Sequence, residues 1–139
     1  MAVWRLYYHL AWATKNRFSL ITDEIEERLY RQIIGKSGSL ECHVHAVGGM
    51  PNHIHIVVSI PPKLSIAAYI SQVKGASSHF VNHNIPGYQK KFAWQDGYGA
   101  FSLGGKQLDG AVRYVLNQKA HHGSGTINPH LENFDEKGP

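Results

Sequence analysis

The run His53-Ile54-His55 constrains this chain more than any other feature, because it opens an apolar stretch that continues to Ile60. Side chains alternate between the two faces of a β-strand, so both histidines project from one face while Ile54 and Ile56 project from the other. The pattern predicts a strand whose apolar face lies against the core. Two imidazoles on the opposite face would supply half of a metal site.

A helix predicted from about residue 106 to residue 122 carries groups that could complete such a site. Successive helical residues are separated by about 100°, so Tyr114 and Gln118 lie about 40° apart on one stripe. The phenol of Tyr114 and the amide of Gln118 can therefore reach the same point at the edge of the sheet. The same periodicity assigns four residues to the buried side of the helix, namely Leu108, Val112, Val115 and Leu116.

Composition limits the class of protein. A chain of 139 residues with 42% hydrophobic residues suits a single globular domain. No apolar run approaches the roughly 20 residues that span a bilayer, so we expect a cytoplasmic protein without a membrane partner. Cys42 is the lone cysteine, which excludes an internal disulfide and a cysteine zinc knuckle. The net charge of +4 suits a polyanionic partner but indicates one only weakly.

Periodicity and turn residues predict the element order βαββαβα. The strands are expected at 3–13, 40–48, 52–60 and 98–103, and the helices from Thr22 to the region of Gly35 and Gly38, at 64–82 and at 106–122. This order predicts an α+β fold, a ferredoxin-like or RRM-like two-layer sandwich with an antiparallel sheet and helices on one face. Residues 1–122 form the domain, and 123–139 are expected to be a poorly ordered C-terminal tail.

The two middle strands are expected to form a hairpin around the turn residues 48–52. If the even-numbered residues of both strands face the core, four histidines share the open face: His43, His45, His53 and His55. A turn of three residues would place His45 opposite His55. Two further interpretations stay open, in which these histidines are ordinary solvated positions or build a zinc site by themselves.

Neutral imidazoles combined with an amide oxygen give a mixed nitrogen and oxygen ligand set with open positions, which suits Mg²⁺ or Mn²⁺ holding a phosphate oxygen. Such a cation would orient a phosphodiester and neutralise charge in the transition state. A neutral phenol with a pKa near 10 is a poor nucleophile, so its proton must be removed as it attacks.

Several segments in order resemble one known family, the single-tyrosine HUH transposases of small bacterial and archaeal insertion sequences. They are Tyr8-His9-Leu10-Ala11-Trp12, Met50-Pro51-Asn52-His53-Ile54-His55, Lys74-Gly75-Ala76-Ser77-Ser78, Trp94-Gln95-Asp96-Gly97-Tyr98-Gly99-Ala100-Phe101-Ser102, and Tyr114-Val115-Leu116-Asn117-Gln118 with His121-His122. The resemblance covers nearly the whole chain up to about His122.

The resemblance implies a DNA transposase that cleaves and rejoins single-stranded DNA next to subterminal hairpins, leaving a 5′-phosphotyrosine and a free 3′-OH. Carried over to this sequence, Tyr114 would be the nucleophile, and the metal ligands would be His53, His55 and Gln118. The resemblance also implies a homodimer in which the tyrosine helix of one subunit can complete the site of the other.

Further residues are weaker candidates. Contacts to DNA phosphates are expected from Lys15, Arg17, Lys74 and Arg113, while supporting positions behind the ligands are open to His45, Asn117 and His121. Two alternative functions stay in view. One is a non-catalytic module that binds single-stranded nucleic acid, and the other is a zinc hydrolase built from the histidine cluster.

Overall fold

The computed structural model describes residues 2–88 and 91–132 of the chain. The strands are β1 (Tyr7–Ala13), β2 (His43–Met50), β3 (His53–Ser59) and β4 (Gly99–Leu103), and the helices are α1 (Asp23–Ser39), α2 (Ile66–Asn84), α3 (Leu108–Leu116), α4 (Gln118–Ser124) and α5 (Pro129–Glu132). The predicted order βαββαβα is confirmed up to α3. Part of the expected tail folds as α4 and α5, and residues 133–139 lie outside the described residues.

The strands form an antiparallel sheet in the order β2-β3-β1-β4. This arrangement confirms the predicted α+β class with an antiparallel sheet. The strand that carries both histidines, β3, pairs on both sides and therefore has no free edge. Its position in the sheet fixes which side chains face inward.

One face of the sheet lies on the main hydrophobic core. Leu10 and Trp12 of β1 pack beside the even-numbered residues of β3, and α1 and α2 cover them; the fully buried members include Ile54, Ile56, Val58, Leu29, Ile33, Tyr69 and Val73. Ser65 is the N-cap of α2, because its hydroxyl accepts a hydrogen bond from the amide of Ala68 at 3.0 Å. In the described part of the chain, no helix is long and apolar enough to cross a membrane.

The opposite face is also covered, which corrects the expectation that helices lie on one face only. Val115 of α3 packs against Ala46 and Val57 in a second, smaller cluster. Apolar residues on both faces of β2 and β3 give α3 a surface to bury. The prediction that Leu116 is buried is wrong: it is 63% exposed, because α3 ends there and Asn117 leaves the helical conformation.

The hairpin register also differs from the prediction. Met50 pairs with His53, so the turn consists of Pro51 and Asn52 alone, and β2 continues through residues 48 and 49. Gly48, not His45, lies opposite His55. A β-bulge between Val44 and Ala46 shifts the register further along, so a strict alternation from the turn could not give the correct pairing.

Gly48 allows α3 to approach the sheet closely. A Cβ atom at this position would collide with the backbone carbonyl oxygen of Val115. A backbone atom cannot move aside as a flexible side chain can, so only glycine permits this approach. The end of α3 is thereby held against β2, next to the strand that carries the histidines.

We expect Gly48→Ala to lower the free energy of unfolding by about 1–3 kcal/mol, the usual cost of overpacking. Gly35→Ala is the matched control, since Gly35 lies in α1 with no atom within 4 Å of an added Cβ. That variant should gain up to about 1 kcal/mol from its better helix propensity. Urea unfolding of the two variants measures the difference. A Gly48→Ala protein as stable as the parent would contradict the close approach.

Candidate metal and nucleophile site

The pairing of β1 with β3 places both histidines of β3 opposite small residues. His55 lies across from Ala11 and His53 across from Ala13. The small alanine side chains leave space above the sheet for the imidazole rings. The rings are nevertheless enclosed, because His53 is 3% exposed and His55 is fully buried.

His9 lies behind His55 on the same face of the sheet. Its Nε2 is 2.8 Å from His55 Nδ1. Burial, followed by the neighbouring His55, lowers the pKa of His9 to about 3, so this ring is neutral. Sequence analysis did not single out His9 as a site residue, although a histidine on a strand face otherwise occupied by Ala11 and Ala13 was an available signal.

The Nδ1 atom of each β3 histidine lies within hydrogen-bonding distance of another side chain. His53 Nδ1 is 2.7 Å from the Oδ1 atom of Asn52, so it carries the proton that this carbonyl oxygen accepts. When a cation is bound, a hydrogen bond donated by His55 Nδ1 to His9 would leave the Nε2 atoms of both rings with a lone pair for that cation. Such outer partners fix the ring orientation and tautomer of metal-binding histidines.

Tyr114 and Gln118 reach the same region from the end of α3 and the start of α4. The ring centroid of Tyr114 is 5.9 Å from that of His55, and the ring stacks on His121 at 4.8 Å. Gln118 is 1% exposed, and its Oε1 lies 3.2 Å from Nε2 of His122. The predicted single helix is broken at Asn117, yet the structure brings the phenol and the amide to the histidine face together.

Glu132 of α5 lies at the centre of the cluster. Its Oε1 is 3.1 Å from Nε2 of His53, 3.1 Å from Nε2 of His55 and 3.3 Å from Nε2 of His122. Its Oε2 accepts a hydrogen bond of 2.5 Å from the hydroxyl of Tyr114. One carboxylate therefore connects the nucleophile candidate to the ligand candidates.

Sequence analysis missed Glu132 because it assigned this part of the chain to a tail. The signal was Asn128-Pro129, a helix start in which asparagine is the cap and proline the first helical residue. In the structure, Asn128 Oδ1 accepts a hydrogen bond from the amide of His130 at 3.1 Å. His122 was named only within a segment that resembles the transposase family, and not as a ligand.

Burial and charge act together in this cluster. Burial alone would raise the pKa of Glu132, but hydrogen bonds with His53 and His55 outweigh it and hold that pKa well below the usual range. Burial is the main cause that lowers the pKa of His55. Burial and the hydrogen bond to Glu132 raise the pKa of Tyr114. The site thus contains an ionised carboxylate, a neutral imidazole and a protonated phenol.

The residues present fit a divalent cation. Ligand atoms of His53, His122 and Glu132 lie within 4.8 Å of one another, and His55 directs its Nε2 at the same carboxylate oxygen. Imidazole nitrogen with amide and carboxylate oxygen is a donor set that Mn²⁺ accepts well and Mg²⁺ accepts in part. The Nε2 atoms of two rings on a sheet and one on a helix converge on a single point, which is what a coordinated ion requires.

The supporting candidates are placed differently. His45 lies at the β-bulge and its Nε2 is 2.7 Å from the hydroxyl of Ser59, so the structure does not bring it to the cluster. Asn117 caps the end of α3 by donating to the carbonyl of Arg113 at 2.8 Å. Among these candidates, His121 alone contacts a site residue, through its stacking on Tyr114.

The four basic candidates for DNA contact fall into two groups. Lys15, Arg17 and Arg113 are exposed. Lys74 donates to the carbonyls of Gln95 and Gly97, both at 2.8 Å, and so fastens the loop that precedes β4. Its ammonium group is engaged within the protein, which makes it a weaker candidate for a phosphate contact.

Comparison with known proteins identifies the family of this chain. The family model described as "Transposase IS200 like" matches residues 2–118. ISDra2 transposase TnpA of Deinococcus radiodurans is 25% identical over 123 residues, which cover 84% of this chain and 86% of that protein. The chain belongs to the family of IS200-like transposases, and the suspected resemblance is confirmed.

Solved structures show the same fold. A crystal structure described as a candidate transposase from Deinococcus radiodurans R1 superposes with a TM-score of 0.65 at 24% identity, covering 84% of this chain and 93% of that chain. A REP-associated tyrosine transposase bound to a REP hairpin superposes with a TM-score of 0.66 at 18% identity, covering 88% and 75%. The α+β architecture is therefore that of known tyrosine transposases.

We expect His9→Phe to weaken Mn²⁺ binding by about 10–100-fold, because removing an outer partner frees the ligand ring it orients. Phenylalanine fills similar space but cannot hydrogen-bond to His55. Calorimetric titration of the purified protein with Mn²⁺ measures the change, and His43→Phe, at an exposed position of β2, is the control. Equal Mn²⁺ affinity in the two variants would show that His9 does not position His55.

Proposed function

We propose that this protein cleaves and rejoins single-stranded DNA as the transposase of an insertion sequence, using Tyr114 as the nucleophile. A divalent cation, Mg²⁺ or Mn²⁺, is held by His53, His55 and Gln118. Attack on a phosphodiester gives a 5′-phosphotyrosine and a free 3′-OH. The domain that does this spans residues 1–122, and its substrate carries subterminal hairpins.

One observation carries the proposal: a single carboxylate contacts both the Tyr114 hydroxyl and the Nε2 atoms of His53 and His55. A phosphodiester under attack must also lie between these groups, because one of its oxygens must contact the cation while its phosphorus faces the nucleophile. These shared contacts with Glu132 support the proposal, because they mean that the phenol and the candidate ligands lie close enough to act on one phosphate group. Family membership supports the reaction class independently.

The cation, when bound, supplies charge to orient the phosphodiester and to stabilise its transition state. The protein supplies the rest. His9 and Asn52 fix the ring orientation of the histidines from behind. Stacking on His121 and the hydrogen bond from the amide of Asn128 at 3.0 Å hold the phenol in place.

The reaction exchanges one phosphodiester for another. A bond forms between the phenolic oxygen of Tyr114 and the phosphorus as the phenol loses its proton, and the bond from phosphorus to the 3′-oxygen breaks. That oxygen gains a proton and leaves as the free 3′-OH, so the proton lost by the phenol is balanced by the one gained by the 3′-oxygen. Because burial raises the pKa of Tyr114, the phenol stays protonated until it attacks. The phosphotyrosine retains the energy of the broken bond, so rejoining needs no nucleotide cofactor.

Several features favour single-stranded DNA with a hairpin as the substrate. The exposed Lys15, Arg17 and Arg113 are candidates for phosphate contacts. The net charge is positive. A relative of the same fold is known bound to a REP hairpin.

We expect Tyr114→Phe to abolish a covalent protein–DNA adduct while leaving the fold intact, because the ring stays and only the nucleophilic oxygen is lost. The assay incubates the protein with end-labelled, hairpin-bearing single-stranded DNA and Mn²⁺, then denatures it and resolves the products on a gel. Tyr98→Phe is the matched control, since Tyr98 is an exposed tyrosine.

The other outcomes identify the alternatives. Cleavage without an adduct that survives Tyr114→Phe would indicate a metal-bound water as the nucleophile and hence a hydrolase. DNA binding by the parent protein without any cleavage in Mn²⁺ or Mg²⁺ would indicate a non-catalytic binding module. Loss of the adduct in Tyr98→Phe as well would point to a general defect rather than a lost nucleophile.

We propose further that the protein is a homodimer whose sites are each completed within one chain. Tyr114 and His55 of the same chain lie with ring centroids 5.9 Å apart, which supports this arrangement. The resemblance to HUH transposases had suggested completion by the partner's helix as an alternative.

Mixing two inactive variants, Tyr114→Phe and His55→Ala, distinguishes these arrangements. If each site uses residues of one chain, the mixed dimer contains no chain with both groups, and adduct formation stays at background. Restoration of activity on mixing would show that the tyrosine of one chain acts at the histidines of its partner. Subunit exchange is verified with differently tagged proteins.

A further inference from the structure

We propose that Glu132 is a carboxylate ligand of the divalent cation and that, with His122, it brings the segment after α3 into the metal site. The inference rests on the proposed function, because it concerns the same metal site. It adds two ligands to the expected set of His53, His55 and Gln118. Both lie beyond residue 118, where the match to the family model ends.

Three imidazole nitrogens crowd around one oxygen of Glu132. Three imidazole Nε2 atoms lie within 3.1–3.3 Å of Oε1 of Glu132. A carboxylate oxygen has two lone pairs, so it cannot accept three well-formed hydrogen bonds from these rings. A cation among the same atoms resolves the conflict, because each nitrogen and the carboxylate oxygen then act as donors of electron pairs to one ion.

The negative charge of the Glu132 carboxylate is largely buried. The Glu132 side chain is 10% exposed, and an isolated carboxylate at such a position is costly. Within the part of the chain that the structure describes, its partners are three imidazoles and the phenol of Tyr114. A divalent ion compensates a buried carboxylate more fully than neutral hydrogen-bond donors do.

Several contacts of the preceding segment orient Glu132 toward the histidine cluster. Gly125 ends α4 in the left-handed conformation with φ 72°, which turns the chain back. The amide of Asn128 donates to the Tyr114 hydroxyl at 3.0 Å, and its side chain caps α5. His130 packs on Phe101 of β4 with ring centroids 5.0 Å apart. Contacts of the segment that precedes Glu132 thus hold the backbone that carries it.

The extended ligand set has a consequence for metal preference. Three imidazoles, the Glu132 carboxylate and the Gln118 amide form a shell of three nitrogen and two oxygen ligands, whereas Mg²⁺ prefers oxygen ligands and retains water. Sites rich in imidazole bind first-row transition metals more tightly than Mg²⁺. The protein should therefore bind Mn²⁺ in preference to Mg²⁺, and Glu132 and His122 should contribute to that preference.

The test is calorimetric titration of the full chain with Mn²⁺ and with Mg²⁺, alongside the electron paramagnetic resonance spectrum of bound Mn²⁺. We expect Glu132→Gln and His122→Gln each to weaken Mn²⁺ binding at least tenfold and to change that spectrum. Glu41→Gln is the matched control, since Glu41 pairs with Lys63 at the exposed surface and should bind Mn²⁺ as the parent does.

The opposite result would overturn the inference. If Glu132 merely occupies the space that the metal needs, Glu132→Gln and Glu132→Ala will bind Mn²⁺ as tightly as the parent or more tightly. Melting curves in EDTA establish that each variant is folded. Should Glu132→Gln not fold, Glu132→Asp is used instead. It keeps the charge but shortens the side chain by one methylene group, and the same tenfold loss of Mn²⁺ affinity is expected.

These readouts separate the inference from the proposed function. Unchanged Mn²⁺ affinity in Glu132→Gln, together with a Tyr114-dependent DNA adduct, would remove Glu132 from the ligand set and leave the transposase proposal standing. Mn²⁺ binding that depends on Glu132, without any adduct in the parent protein, would refute the proposed reaction and keep the ligand assignment.

Discussion

The register of β3 between β1 and β2 is the constraint on which the rest of the structure depends. In this register Ile54 and Ile56 enter the main core while His53 and His55 face α3. A shift by one residue would bury the imidazoles among the aliphatic side chains of α1 and α2 and expose the isoleucines. The hydrophobic effect that folds the domain therefore also aims the candidate ligands.

Small residues convert that register into a site. Ala11 and Ala13 lie opposite the two histidines, and Gly48 lies opposite His55 on the other side. The alanines leave space above the sheet, and the missing Cβ of Gly48 lets the end of α3 approach closely enough to bring Gln118 there. The polar cluster thus occupies space that larger side chains would have filled.

The sequence predicted the parts of this arrangement that follow from local periodicity. The alternation around His53 and the helical spacing of Tyr114 and Gln118 were sufficient to expect that they meet, and the element order and fold class followed from similar patterns. The register of β2 was wrong, because a β-bulge at His45 breaks the alternation and leaves no clear signal in the sequence. The side of the sheet that α3 covers depends on a close approach at Gly48, which is a tertiary contact. Glu132 is separated from His53 and His55 by more than seventy residues of chain and was found only through the folded structure.

The measurement that tests the central claim most directly is crystallography of the protein soaked with Mn²⁺, using the anomalous signal of manganese to locate the ion. The account predicts one strong peak within about 2.5 Å of Nε2 of both His53 and His55, with the Tyr114 hydroxyl on the same side of the ion. A peak bound elsewhere, or a Tyr114 hydroxyl directed away from the ion in every subunit, would contradict it.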